Sequence, residues 1–136
     1  MTTLRTLDEV ENAILARFKT AWDTTGYDWT IENDELQTDD EPWARVTLNA
    51  VTSRVRGYGA GIRRRREGTI IVQIFIRPNQ GMQRANQLAQ VVIDAFEADA
   101  YSGQIKFSDV VPQKIGVRNN WYQLNVSVIY RWDSVE

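Results

Sequence analysis

Leu7, Val10, Ile14, Phe18, Ala21 and Trp22 recur at the spacing of one helix face. Thr6-Leu7-Asp8-Glu9 has the form of a capping box, in which a hydroxyl and a carboxylate satisfy free helix N–H groups. Gly26 supplies a stop. Together these predict a first helix from Leu7 to Asp23. Trp29-Thr30-Ile31 has the composition of a short strand. Ala44, Val46, Leu48 and Ala50 then alternate with Arg45, Thr47 and Asn49, which predicts a half-buried strand. A second alternation from Gly68 to Arg77 places Ile70, Val72, Ile74 and Ile76 on one face, before Pro78-Asn79-Gln80-Gly81 breaks it. Ala85, Leu88, Ala89, Val92 and Phe96 form the stripe of a second helix, Met82 to Ala98.

Past Gly103 the text predicts a short strand, Gln104 to Phe107, and an irregular extended stretch, Val110 to Val117, holding Pro112 and Gly116. Asn119-Asn120 reads as a turn. The last strand carries Tyr122, Leu124, Val126, Val128, Tyr130 and Trp132 on one face and Gln123, Asn125, Ser127 and Arg131 on the other. Two amphipathic helices and strands with one polar face predict an α+β fold. The expected architecture is a two-layer sandwich, a mainly antiparallel sheet with both helices packed on one face. The other face, with Arg45, Thr47, Asn49, Gln73, Gln123, Asn125 and Ser127, is expected to meet water or a partner.

Composition narrows the chemistry. The chain of 136 residues is expected to be a single domain, 1–136. Its size allows roughly 68% of the unfolded chain's surface to be buried. Cysteine and histidine are both absent. No disulfide framework, thiolate nucleophile or imidazole base exists, and Ser-His-Asp or Cys-His catalysis is excluded. Metal sites and cofactors are not expected. The formal charge of −2 excludes a polycation as a whole. No apolar run reaches the ~20 residues of a membrane span. The first residues lack the apolar core of a signal peptide, so a soluble, cytoplasmically made protein without membrane contact is expected.

Charge is concentrated in two places. Arg54, Arg56, Arg63, Arg64, Arg65 and Arg66 crowd a stretch punctuated by Gly57, Gly59 and Gly61. This reads as a mobile loop over about 52–67, because glycine loosens the backbone and like charges repel. It has three readings: a solvated hairpin guarding a sheet edge, a protein interface using guanidinium forks on carboxylates, or a phosphate-binding site with strong salt dependence. Glu32, Asp34, Glu35, Asp39, Asp40 and Glu41 form an acidic loop with the same number of charges. Its spacing is not that of an EF-hand. It reads as a solvated loop, or as one in which Asp39, Asp40 and Glu41 pair with the arginines of a neighbouring copy. Such pairing of two different patches is what closes a ring. Five tryptophans are many for this length. Trp22 is expected in the core and Trp132 in the core or an interface. Trp43 and Trp121 open strands, and Trp43 is out of phase with the core face. That marks it as a partly exposed edge packer or an interface residue.

The order of these pieces resembles the tail terminator (tail completion) proteins of long-tailed bacteriophages and prophages. Pro42-Trp43-Ala44-Arg45-Val46 opens a strand. Gly57, Gly59 and Gly61 run into Arg63 to Arg66, and Gly68 begins a strand ending at Pro78. Gly81 precedes Ala85-x-x-Leu88-Ala89, and Trp121-Tyr122 opens the last strand. The resemblance implies a non-enzymatic structural protein that assembles as a hexameric ring. The ring would cap the tail tube at its head-proximal end, stop its growth and meet the head–tail connector protein. The implied partners are further copies, the tail tube protein and the connector, with genomic DNA passing the lumen without specific binding. The implied location is the virion tail, assembled in the host cytoplasm. The resemblance carries over no catalytic residue. Two other classes stay open: a nucleic-acid-binding module using Arg54 to Arg66, and an enzyme using a carboxylate pair such as Asp39 and Glu41.

Overall fold

The computed structural model describes residues 6–31, 42–57, 63–79, 81–97, 101–102, 105–118 and 120–135. The first helix, α1, spans Leu7–Trp22. The Thr6 hydroxyl accepts from the Glu9 amide at 3.2 Å and donates to the Glu9 carboxylate at 3.0 Å. Val10, Ile14, Phe18 and Trp22 are its buried stripe. Leu7, which the spacing places in that stripe, is 52% exposed, one turn before the first covered residue, Val10. After a 3₁₀ turn, Asp23–Thr25, Gly26 reverses the chain at φ 76°, a value that glycine reaches without strain.

Strand β1 is Asp28–Ile31, β2 Trp43–Gly57 and β3 Arg63–Ile76. Helix α2 is Gln83–Glu97, and three strands follow: β4 Tyr101–Ser102, β5 Ile105–Arg118 and β6 Trp121–Val135. They form one six-stranded sheet in the order β1-β2-β3-β6-β5-β4. Only β1 and β2 run parallel; the other neighbours are antiparallel. The fold is α+β, with both helices in one core cluster against one sheet face. Ala44, Val46, Ile70, Val72, Ile74, Leu124, Val126 and Val128 are the sheet's side of that core. Phe18 stacks on Trp22 at 5.6 Å and meets the edge of Trp29 at 5.1 Å. The Trp22 indole donates to the Asp28 carbonyl at 3.2 Å, fixing the end of α1 to β1. Arg17 of α1 donates to the Ala95 carbonyl at 2.7 Å and lies 4.8 Å from the Phe107 ring. A cation there complements the negative end of α2.

Two sequence expectations need correction. The arginine-rich stretch is strand over most of the predicted loop. β2 and β3 stay paired to Gly57↔Arg63, and β6 flanks β3 as far as Val135↔Arg63. Pairing on both sides satisfies the β3 backbone, and one extra residue at each of two bulges in β2 keeps the hairpin in register. Residues 58–62, at the tip of this hairpin, lie outside the described residues. The second correction is β5. The predicted short strand and irregular stretch are one strand with register shifts between Ser108 and Val111 and between Lys114 and Gly116. Pro112 fits because this part of β5 has no outer neighbour among the described residues.

Gly68 belongs to the covered face. It stands opposite Tyr130, and a Cβ there would lie 2.6 Å from the Tyr130 ring and 2.5 Å from the Asn49 carbonyl oxygen. The bare backbone is what lets the tyrosine lie across the strand. Burial, reinforced by the charge of Glu11, raises the Tyr130 hydroxyl above its ordinary pKa.

Candidate interaction face

The sheet face away from the helices is built of cross-strand rows. Arg45, Gln73, Asn125 and Gln113 stand side by side on four strands. Thr47, Ile71, Ser127 and Val111 form the next row, and Asn49, Thr69, Ile129 and Ser108 the one after. Alternation of side chains along each strand puts these residues on one surface. The β5 bulge lets Ser108 and Val111 share that surface although their numbers differ in parity.

The two ends of this face differ in chemistry. At one end Trp43 stacks on its cross-strand partner Phe75, with ring centroids 4.2 Å apart and planes 16° from parallel. Trp121 meets Trp43 edge-on at 6.2 Å. The Arg45 guanidinium lies 5.2 Å from the Trp43 ring, and that of Arg77 lies 4.0 Å from Trp121. The guanidinium charge is attracted to the negative face of the ring. Trp43 is only 7% exposed and Phe75 9%, and neither belongs to the main core. Trp43 is thus no partly exposed edge packer but half of a second, small apolar cluster. Its indole N–H is buried and has no acceptor among the described residues.

At the other end the charges are paired within the chain. Arg65 binds Asp133 through two parallel bonds, Nε–Oδ1 at 2.9 Å and Nη2–Oδ2 at 3.1 Å. Glu67, Arg131 and Lys106 stand in one row. With Ser108, Asp109 and Ile129 they line a recess of about 250 Å³. Asp109, inside the β5 bulge, has φ 51°. On the covered side of the same strand, Arg66 lies 5.6 Å from the ring of its cross-strand partner Trp132.

The candidate residues therefore separate. Trp43 and Trp121 come together at one end. Arg63, Arg64, Arg65 and Arg66 lie on β3 at the other, with Arg54 and Arg56 on the adjoining part of β2. Asp39, Asp40 and Glu41 lie outside the described residues. Sequence reasoning missed the role of Arg45, Phe75, Arg77 and Asp133. The Trp43-x-Arg45 spacing was a usable signal, since residues two apart on a strand share a face. The partners across the sheet were not, because register is not written in one strand. Among the described residues no group of carboxylates is placed to hold a metal ion. No described helix is long and apolar enough to cross a membrane.

The family model for phage tail terminator proteins matches residues 9–130 of the chain. No curated protein matches it. One solved structure superposes with a TM-score of 0.61 over 93% of this chain and 95% of the other, at 16% identity. A likeness at that identity speaks for the fold alone.

Proposed function

Because this chain belongs to the phage tail terminator family and has a structural role in the phage tail, we propose that its copies close into a ring on the head-proximal end of the tail tube. The ring, a hexamer in this reading, ends tube elongation and offers its far side to the head–tail connector. The mechanism is geometric and needs no catalysis: one surface mates with the last tube layer, and a different surface faces away from it. The chain acts as one domain and one building block. Genomic DNA passes the lumen without being bound specifically, and assembly takes place in the host cytoplasm.

The observation that carries this reading is the uncovered sheet face running out into the arginine-rich β2–β3 hairpin. A two-layer fold with one bare, mixed-polarity face has a large surface left for partners, and a heterologous ring needs two distinct patches. In this proposal the hairpin end that carries Arg54, Arg56 and Arg63 to Arg66, its arginines alternating between the two sides of β3, supplies one contact region. Asp39, Asp40 and Glu41 of the neighbouring copy supply the other, and Trp43 and Trp121 add an aromatic anchor.

Replacing Arg63, Arg64, Arg65 and Arg66 by alanine tests it. Removing the Arg65–Asp133 pair and the Arg66–Trp132 contact costs about 1 kcal/mol of fold stability, small against a whole domain. Tails made with this variant are expected to be overlong or unable to join heads. Normal capping by the folded variant would reduce the hairpin to a solvated edge guard. Normal capping with loss of salt-sensitive DNA retention would transfer the arginines to nucleic-acid binding.

A further inference from the structure

The geometry points to Arg45 as a carboxylate-receiving anchor through which one copy of this chain holds a second. This rests on the ring reading and names the chemistry of one contact within it. Arg45 is half-buried on the open face, its guanidinium over Trp43 at 5.2 Å, and it has no hydrogen-bond or ion-pair acceptor among the described residues. The contrast with Arg65 is direct, since that guanidinium is already bound by both oxygens of Asp133. Trp43 beside Arg45 holds a second buried donor, its indole N–H, also without an acceptor among the described residues. Across the sheet the row of Arg45 offers the Thr30 hydroxyl on β1 and amides on β3, β6 and β5, and the exposed Asp28 stands in the row of Trp43 without bonding Arg45. Among the described residues two neighbouring donor groups thus lack an acceptor, and one is charged.

A guanidinium held against an aromatic ring keeps its N–H edge available in a fixed plane, which suits a carboxylate's two oxygens. A buried Trp and an Arg together are also the residue types that dominate interface energetics. Exposed carboxylates stand on other surfaces of the same chain: Asp8 in the first turn of α1, Asp94 and Glu97 on α2. A second copy therefore brings charge complementary to this site from a different patch, the arrangement that propagates around a ring. Base stacking by a nucleic acid is disfavoured, because the Trp43 ring is already covered by Phe75 and Arg45.

The test is the mass of the full chain against concentration, by sedimentation or light scattering, for wild type, Arg45→Ala and Arg45→Lys. Wild type should associate, and alanine should weaken association roughly 30-fold with an unchanged melting curve. Lysine should be nearly as weak, because an ammonium provides no planar fork. Wild-type association by the alanine variant overturns the anchor, as does full rescue by lysine. A wild-type chain that stays monomeric at every concentration overturns the second copy as occupant. Unchanged mass with lowered retention on DNA fragments overturns it in favour of phosphate. The ring reading is judged separately on tails: if the alanine variant associates and caps normally, the ring stands and the anchor falls. If wild type itself does not affect tail length, the ring reading falls while the mass measurement still decides the anchor.

Discussion

The two faces of this sheet share strands and differ in almost everything else. On the covered face, buried aliphatic and aromatic side chains meet two helices, and Gly68 is bare so that Tyr130 can lie across it. On the open face, among the described residues, the buried apolar side chains are the stacked Trp43 and Phe75, and order elsewhere comes from hydrogen bonds and charge pairs such as Arg65–Asp133. The difference teaches where stability resides. The covered face supplies the folding energy, while the open face can change its chemistry at little cost to the fold.

Phe18→Ala should break that contrast most sharply from the covered side. It deletes a fully buried ring touching both Trp22 and Trp29, and should cost about 3–5 kcal/mol by denaturant unfolding. A loss below 1 kcal/mol would mean α1 is not seated on the sheet. Gly68→Ala comes next, at about 1–3 kcal/mol, because its methyl collides with the Asn49 backbone and the Tyr130 ring. Gly68→Ala combined with Tyr130→Ala should lose less than the two single effects added together. Asp133→Ala, on the open face, should cost only about 1 kcal/mol, and added salt should shrink the difference from wild type. A cost as large as that of Phe18→Ala would erase the distinction between the faces.

The smallest effect concerns alkaline pH. Tyr130 has a folded pKa raised above the ordinary tyrosine value, first by burial and then by Glu11. The folded state therefore holds this proton more tightly than the unfolded chain. Its contribution is complete below the unfolded pKa and is lost as pH rises through the folded one. Melting temperature should fall more steeply above about pH 10 in wild type than in Tyr130→Phe. Parallel curves would show that the hydroxyl is solvated.

Most of the covered face was legible in the residues. The four-residue recurrence through Val10, Ile14, Phe18 and Trp22 and the alternation through Ile70, Val72, Ile74 and Ile76 each reflect one dominant period, and both held. The hairpin was not legible. Its alternation is hidden under arginines on successive positions of β3, and pairing from β6 is what makes a strand of them. β5 failed for another reason: each bulge inserts one residue and breaks the two-residue period that marks a strand. At the site, Trp43 and Trp121 were visible as unusual residues. Their union with Phe75, Arg45 and Arg77 depends on register between distant strands, which no local pattern encodes.

The central claim is that this chain ends tail growth, and tail length measures it most directly. Tails should be assembled with and without the chain and imaged by electron microscopy. With it, lengths should fall in one narrow distribution and tails should join heads. Without it, tails should be overlong, variable or headless. Identical lengths and equal head joining in the two preparations would contradict the account.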